Sequence, residues 1–324
     1  MTRLTRIVSV VAIAAITLTA AACGDKKKET PATATPAPAK AASATAVATQ
    51  AAAKPLTITG SDYAFAVDGQ ASPGIQTITF KNAGKEDHEL QLVRLDQGKT
   101  IVDAQKILAT PGAAIPDWVK FAGGAWAIPA GGQSTMTAKL ETGPYILLCF
   151  VESPDKAPHF AKGMVGAIDV KGDQAKDAAP TATLAIEASD NAFKLPAEAT
   201  AGKAIISLKN TGKESHFAGL IRVPDGMPYE AFTKLLLTPP PAAATPAAAA
   251  SPRPSATASA TAAAAAAAAP PSGVSGGVGA LSAGGQAWST TDLKAGTYAV
   301  VCFVPDAKGV PHAALGMISK LTVK

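Results

Sequence analysis

The chain has 324 residues, a formal net charge of +5 and only 5% aromatic residues. That length exceeds one ordinary core and suits two domains of moderate size. No Lys/Arg cluster is interleaved with aromatics, which excludes a nucleic-acid partner as an expectation. Three cysteines, Cys23, Cys149 and Cys302, are too few for a disulfide framework.

In chain order, Arg3 and Arg6 precede a short apolar stretch over residues 7–18, and Ala20-Ala21-Ala22 leads into Cys23-Gly24. Residues 1–22 read as a secretory signal, with an apolar run too short for a transmembrane helix. A Cys directly after three small residues resembles the lipobox of bacterial lipoproteins. The resemblance implies that Cys23 is lipidated and becomes the first residue, tethering the protein to the extracytoplasmic face of the cell membrane. It is partial, because Leu18 stands five positions before the Cys where the family usually has Leu three before. An ordinary secretory signal with an incidental Cys is the other reading. Residues 23–54, rich in Ala, Thr and Pro, have too little apolar surface to offset ordering entropy and read as a disordered tether. Lys26-Lys27-Lys28 within it reads as a solvated flank rather than a lipid-head-group site.

Beyond residue 54 the sequence repeats itself. Ser61-Asp62-Tyr63-Ala64-Phe65 returns as Ser189-Asp190-Asn191-Ala192-Phe193, and Lys81-Asn82-Ala83-Gly84-Lys85-Glu86-Asp87-His88 returns as Lys209-Asn210-Thr211-Gly212-Lys213-Glu214-Ser215-His216. The offset of 128 residues persists to Thr110-Pro111 and Thr238-Pro239, then becomes 153 from Ala130-Gly131-Gly132-Gln133 and Ala283-Gly284-Gly285-Gln286 onward. Domains are therefore expected at 55–171 and 181–324, joined by a linker at 172–180. A low-complexity Ala/Pro insertion at 240–275 belongs on a surface loop of the second.

Within each copy the pattern is mostly β. Residues 56–59, 76–80 and 204–208 alternate, the Asn-x-Gly turns at Asn82 and Asn210 follow, and residues 89–93 lead out of the first His. Residues 145–150 and 298–303 are nearly all apolar, as a central buried strand requires. One helix interrupts each copy. Thr100 and Asp103 form a capping box in the first, and Pro228 opens the matching segment 229–237 in the second. The expected fold is all-β: two tandem Greek-key β-sandwiches, each with a short helical excursion.

Each copy presents His88, Cys149, His159 and Met164, or His216, Cys302, His312 and Met317. Two imidazoles, a thiolate and a thioether are the donors of a trigonal electron-transfer copper site with a weak axial Met. The Asn-x-Gly-x-x-x-His turn and the late Cys…His…Met run resemble the cupredoxins, the plastocyanin and azurin family, over nearly all of the folded chain. The resemblance implies a cupredoxin fold, one copper ion per domain held by those residues, and electron transfer or copper holding and delivery with a redox or copper-transfer protein partner. Nine residues separate Cys149 from His159 and Cys302 from His312, a longer loop than in familiar cupredoxins. Whether the late His returns to the metal is left open. Two other readings stand beside copper: a metal-free cupredoxin-like module that recruits a partner, and a disulfide between Cys149 and Cys302. Enzyme function is not expected. Multicopper oxidases need many additional histidines, and this chain has four in all.

Overall fold

The structure is a computed structural model, and it describes residues 55–96, 98–108, 115–238 and 274–324. The signal, Cys23, the tether and residues 240–273 of the insertion lie outside the described residues. Among the described residues no helix is long and apolar enough to cross a membrane.

The first copy comprises β1 (Leu56–Ser61), β2 (Ala64–Asp68), β3 (Gly74–Asn82), β4 (His88–Leu95), α1 (Ile101–Leu108), β5 (Val119–Ile128), β6 (Gln133–Leu140), β7 (Gly143–Leu148) and β8 (Val165–Val170). The second comprises β9 (Leu184–Ser189), β10 (Ala192–Lys194), β11 (Glu198–Ala199), β12 (Gly202–Asn210), β13 (His216–Arg222), α2 (Tyr229–Leu237), β14 (Val274–Leu281), β15 (Gln286–Leu293), β16 (Gly296–Val301) and β17 (Ile318–Val323). The fold is all-β, as the alternation predicts. β1 and β3 alternate buried and half-exposed residues, so each covers the core with one face, whereas β4 and β7 are covered on both faces, β7 by an apolar run and β4 with Glu89 and Gln91 among its buried residues. The Thr100/Asp103 box is present: Asp103 Oδ2 accepts from the Thr100 amide at 2.8 Å, and Thr100 Oγ1 accepts from the Asp103 amide at 3.2 Å. α1 therefore starts at Ile101.

The two sandwiches join edge to edge. Their strands merge into an eight-stranded sheet, ordered β10-β9-β12-β15-β6-β3-β1-β2, and a nine-stranded sheet, ordered β11-β17-β16-β13-β14-β5-β4-β7-β8. The seam is a pair of antiparallel ladders, β14 with β5 and β15 with β6. Ala125 pairs with Val278, and Met136 with Ser289. These partners are 153 residues apart, which is the repeat offset, so equivalent residues meet at the seam's centre. The copies are thus related by a local twofold, the arrangement of an isologous dimer written into one chain.

Side chains lock the seam. Gln91 of β4 accepts from the Ala280 amide at 2.7 Å and donates to the carbonyls of Ala280 and Gly123 at 3.1 and 3.0 Å. Trp126 of β5 packs against Phe217 of β13 in a tilted contact, with ring centroids 4.4 Å apart. One continuous apolar core runs through both copies. Residues 172–180 lie back on the first copy, where the Ala175 amide donates to Pro73 O at 2.7 Å and the Thr77 amide to Asp177 Oδ2 at 2.6 Å.

Candidate metal centre

In each copy the first His is placed by the Asn-x-Gly turn. Asn82 Oδ1 accepts from the Gly84 amide at 2.8 Å, while its Nδ2 donates to Glu86 O and Ile128 O at 2.8 and 2.9 Å. Asn210 does the same with Gly212, Glu214 and Leu281. The turn is pressed so tightly on its His and on Asp62 that a side chain at Gly84 would overlap both, and Gly212 faces the same crowding from Asp190. His88 and His216 then open β4 and β13 fully buried.

The long loop brings the second His back. After Cys149 the chain turns as a small hairpin: Glu152 bridges Pro158, the Ser153 amide donates to Ala157 O at 3.0 Å, and the His159 amide donates to Val151 O at 2.8 Å. A 3₁₀ turn, His159–Lys162, follows, and the Met164 amide closes it on His159 O at 2.9 Å. The second copy repeats this from Cys302 through the bridge of Pro305 with Pro311 to the bond from the Met317 amide to His312 O at 2.9 Å. At the hairpin tip, Lys156 has φ 67° where the second copy has Gly309 at φ 81°.

The donor atoms converge. His88 Nδ1 lies 3.0 Å from His159 Nδ1, and Cys149 Sγ lies 3.4 Å from His159 Nδ1. In the second copy His216 Nδ1 and His312 Nδ1 are 3.1 Å apart, and Cys302 Sγ is 3.9 and 3.6 Å from them. Each His-Cys-His triangle falls within 4.8 Å. Bonds of about 2.0 Å to nitrogen and 2.3 Å to sulfur at roughly 100–120° would separate such donors by about 3.1–3.8 Å. The triangles therefore fit one metal ion each, and the soft and borderline donors suit copper. Met164 is buried against Cys149 and Val151, and Met317 is buried in the core of the second copy. Cys149 and Cys302 are both free thiols, each in its own triangle, so the disulfide reading is overturned.

Carboxylates that the sequence reading did not assign surround the four imidazoles. His88 Nε2 meets Asp62 Oδ1 at 3.2 Å, and His159 Nε2 meets Glu86 Oε2 at 2.8 Å. His216 Nε2 meets Asp190 Oδ1 at 3.2 Å. His312 Nε2 has Glu214 Oε2 at 2.9 Å, within ion-pair distance but not aligned as a hydrogen bond. Holding the outer nitrogen in this way leaves Nδ1 to the metal and fixes the ring. The signal was available, since Asp62/Asp190 and Glu86/Glu214 recur inside the repeated motifs. Burial holds the His88 and His216 pKa values below the ordinary imidazole value. The Lys85 amide holds Asp62 low. Burial raises Glu86, but bonds to His159, Ser153 and Tyr63 outweigh it and leave the carboxyl below its usual value. Burial pushes the Cys149 thiol well up, with the Glu89 carboxylate adding to it, and pushes Cys302 up to about 12. Both thiols are thus protonated without metal, and each must release a proton as copper binds. Glu86→Gln is expected to weaken copper binding by about 10–100-fold, measured by competition with a chelator.

The two centres differ in their surroundings. Tyr63 packs edge-on to His159 at 5.2 Å, and its hydroxyl donates to Glu86 at 2.9 Å. Lys162 lies over the Tyr63 ring and pairs with Asp155 at 2.8 Å. At the second centre Asn191 and an exposed Leu315 take the places of Tyr63 and Lys162. Beside Cys149, Glu89 is buried and accepts from the Phe150 amide at 2.8 Å, whereas Phe217 occupies that position beside Cys302.

The merged Greek-key sheets, with a His-Cys-His triangle in each copy, define a tandem cupredoxin-like protein. No family model and no curated protein sequence matches the chain. Among solved structures it is similar to auracyanin from Roseiflexus castenholzii, 23% identical over 36% of this chain and 95% of that one, with a TM-score of 0.26. It is similar to auracyanin A, a "blue" copper protein of Chloroflexus aurantiacus, at 21% identity over 36% and 100%, TM-score 0.26. Copper nitrite reductase from Nitrosomonas europaea is 14% identical over 83% and 93%, TM-score 0.21. The class rests on the chain's own topology and donor sets rather than on scores of that size.

Proposed function

We infer that this chain is a membrane-anchored, extracytoplasmic copper protein that carries electrons through two mononuclear centres. His88, Cys149 and His159 would hold one ion with Met164 as a further donor, and His216, Cys302 and His312 the other with Met317 as a further donor. Copper so held supplies a one-electron couple. The carrying observation is the buried Nδ1–Nδ1–Sγ triangle in both copies, braced from outside by carboxylates. A braced, buried donor set resists rearrangement when the ion changes charge, which favours electron transfer over holding and delivery. All four histidines of the sequence are used by these two sets, which leaves none for an oxygen-reducing cluster and supports a non-enzymatic role. The leader and Cys23 would supply export and the lipid anchor, and a redox protein outside the membrane would be the partner.

Titrating the metal-free protein anaerobically with Cu(II) is expected to yield an intense visible thiolate-to-copper band that saturates at two ions per chain. A one-electron reductant should bleach the band reversibly with both ions retained. Absence of the band with both thiols free would sink the reading. Loss of copper on reduction would favour holding and delivery.

A further inference from the structure

The seam has diverged around its local twofold. On one side lie Trp126, Phe217 and Gly219, and the positions equivalent to them by the repeat offsets are Gly279, Glu89 and Gln91. Gly219 leaves room for the indole, because a side chain there would come within 2.9 Å of Trp126. Gln91 fills the other side through hydrogen bonds to Ala280 and Gly123, with no rings. Packing and pairing at the seam are thus achieved without an aromatic pair. The Trp126 Nε1–H is buried with no partner among the described residues, a cost that Phe or Leu would avoid.

Phe217 touches the second centre, and the strand that carries Trp126 leads to the first. Phe217 follows His216 directly, its amide donates to Cys302 Sγ at 3.5 Å, and its ring lies 6.3 Å from that of Phe303, the residue after Cys302. Trp126 belongs to the first copy and precedes Ala127, which packs against the cluster of Cys149, Val151 and Met164. Ile128, next along, pairs with His88. β13 and β4 stand three strand spacings apart in the sheet, about 14 Å, and the levels of His88 and His216 differ by the six residues from Ile128 to Ala122 of β5, about 20 Å, so about 25 Å separates the two histidine positions. Two rings in contact cover part of that span with conjugated rather than saturated atoms.

We propose that Trp126 and Phe217 are the route by which the two centres exchange an electron within one molecule. The proposal rests on both copies binding copper. In the exchange one ion passes from Cu(I) to Cu(II) as the other passes from Cu(II) to Cu(I). No bond to a ligand breaks and no proton moves. The rings lie outside the donor sets and act as a bridge.

The test uses the fully loaded protein. Radiolytically generated electrons, fewer than one per chain, reduce one centre, and visible absorbance and freeze-quenched EPR follow the relaxation. Cys149→Ser and Cys302→Ser proteins supply the reference spectrum of each centre. A relaxation independent of protein concentration is expected. Trp126→Leu should slow it at least tenfold and Trp126→Phe by less, with both visible bands and reduction potentials unchanged. Trp288→Phe, at a second buried Trp of the seam with no ring contact to either centre, should leave the rate alone. Equal rates in Trp126→Leu and the parent, or relaxation only by collision between molecules, would overturn the route. Failure of the parent to form two copper bands would instead overturn the reading of the sites.

Discussion

Cys302→Ser is expected to abolish the visible band of the second centre and leave that of the first, halving the copper bound per chain from two ions to one. The thiolate is the donor that gives the band its intensity, and a serine hydroxyl at the same place stays protonated and neutral near pH 7. Cys302 Sγ has two imidazole nitrogens within 3.9 Å, and the Met317 thioether of the same centre is neutral and cannot supply a thiolate. Affinity at that centre should fall by more than the roughly 10–100-fold assigned to a supporting carboxylate. The mirror variant, Cys149→Ser, should remove the other band. Metal analysis with absorption spectra of both variants checks this, and a variant that keeps two bands would show that a triangle has been misassigned.

The second large effect concerns Glu89 in the metal-free protein. Its carboxyl is fully buried, and burial raises its pKa from 4.5 to about 7 against the opposing bond from the Phe150 amide. In the unfolded chain the group ionises near its ordinary value. Between these two pKa values the folded state holds a proton that the unfolded state has lost, so stability must fall as pH rises from about 4.5 to about 7. The size is roughly 3 kcal/mol, present in full below the window and lost above it. Glu89→Gln keeps the shape, removes the titration and should flatten that part of the profile, leaving the variant more stable than the parent above pH 7. Urea unfolding of both metal-free proteins at several pH values measures the difference, in which contributions from other groups cancel. A parent and variant with parallel profiles would sink the assignment.

Much of the fold was legible because local signals agreed. The alternation in β1 and β3, the apolar runs that become β7 and β16, and the Thr100/Asp103 cap all state their structure within a few residues. The donor types were legible because His, Cys and Met recur at fixed offsets. What was illegible depends on distant atoms. The joining of β5 to β14 is encoded in no single strand, since both of its partners are strand edges that look alike before they meet. The loop from Cys149 to His159 closes through the Ser153 and His159 amides, and backbone bonds leave little trace in side-chain types. Asp62 and Glu86 were visible as repeated letters, yet an acidic residue beside a turn is ordinarily solvated, and only the approach of the imidazoles gives it a task. Glu89 opens an alternating stretch where its charge reads as a surface position, while the structure places it inside.

Either half on its own would present the bare flanks of two strands, β5 and β6 or β14 and β15, with their amides and carbonyls facing water. Such flanks recruit other chains. By folding two copies from one polypeptide, the molecule caps each flank with its own counterpart and leaves strangers nothing there to extend. Duplication thus serves solubility as well as the number of metal ions. It also ties the copies together, because any change that weakens the seam uncovers adhesive edges on both halves at once.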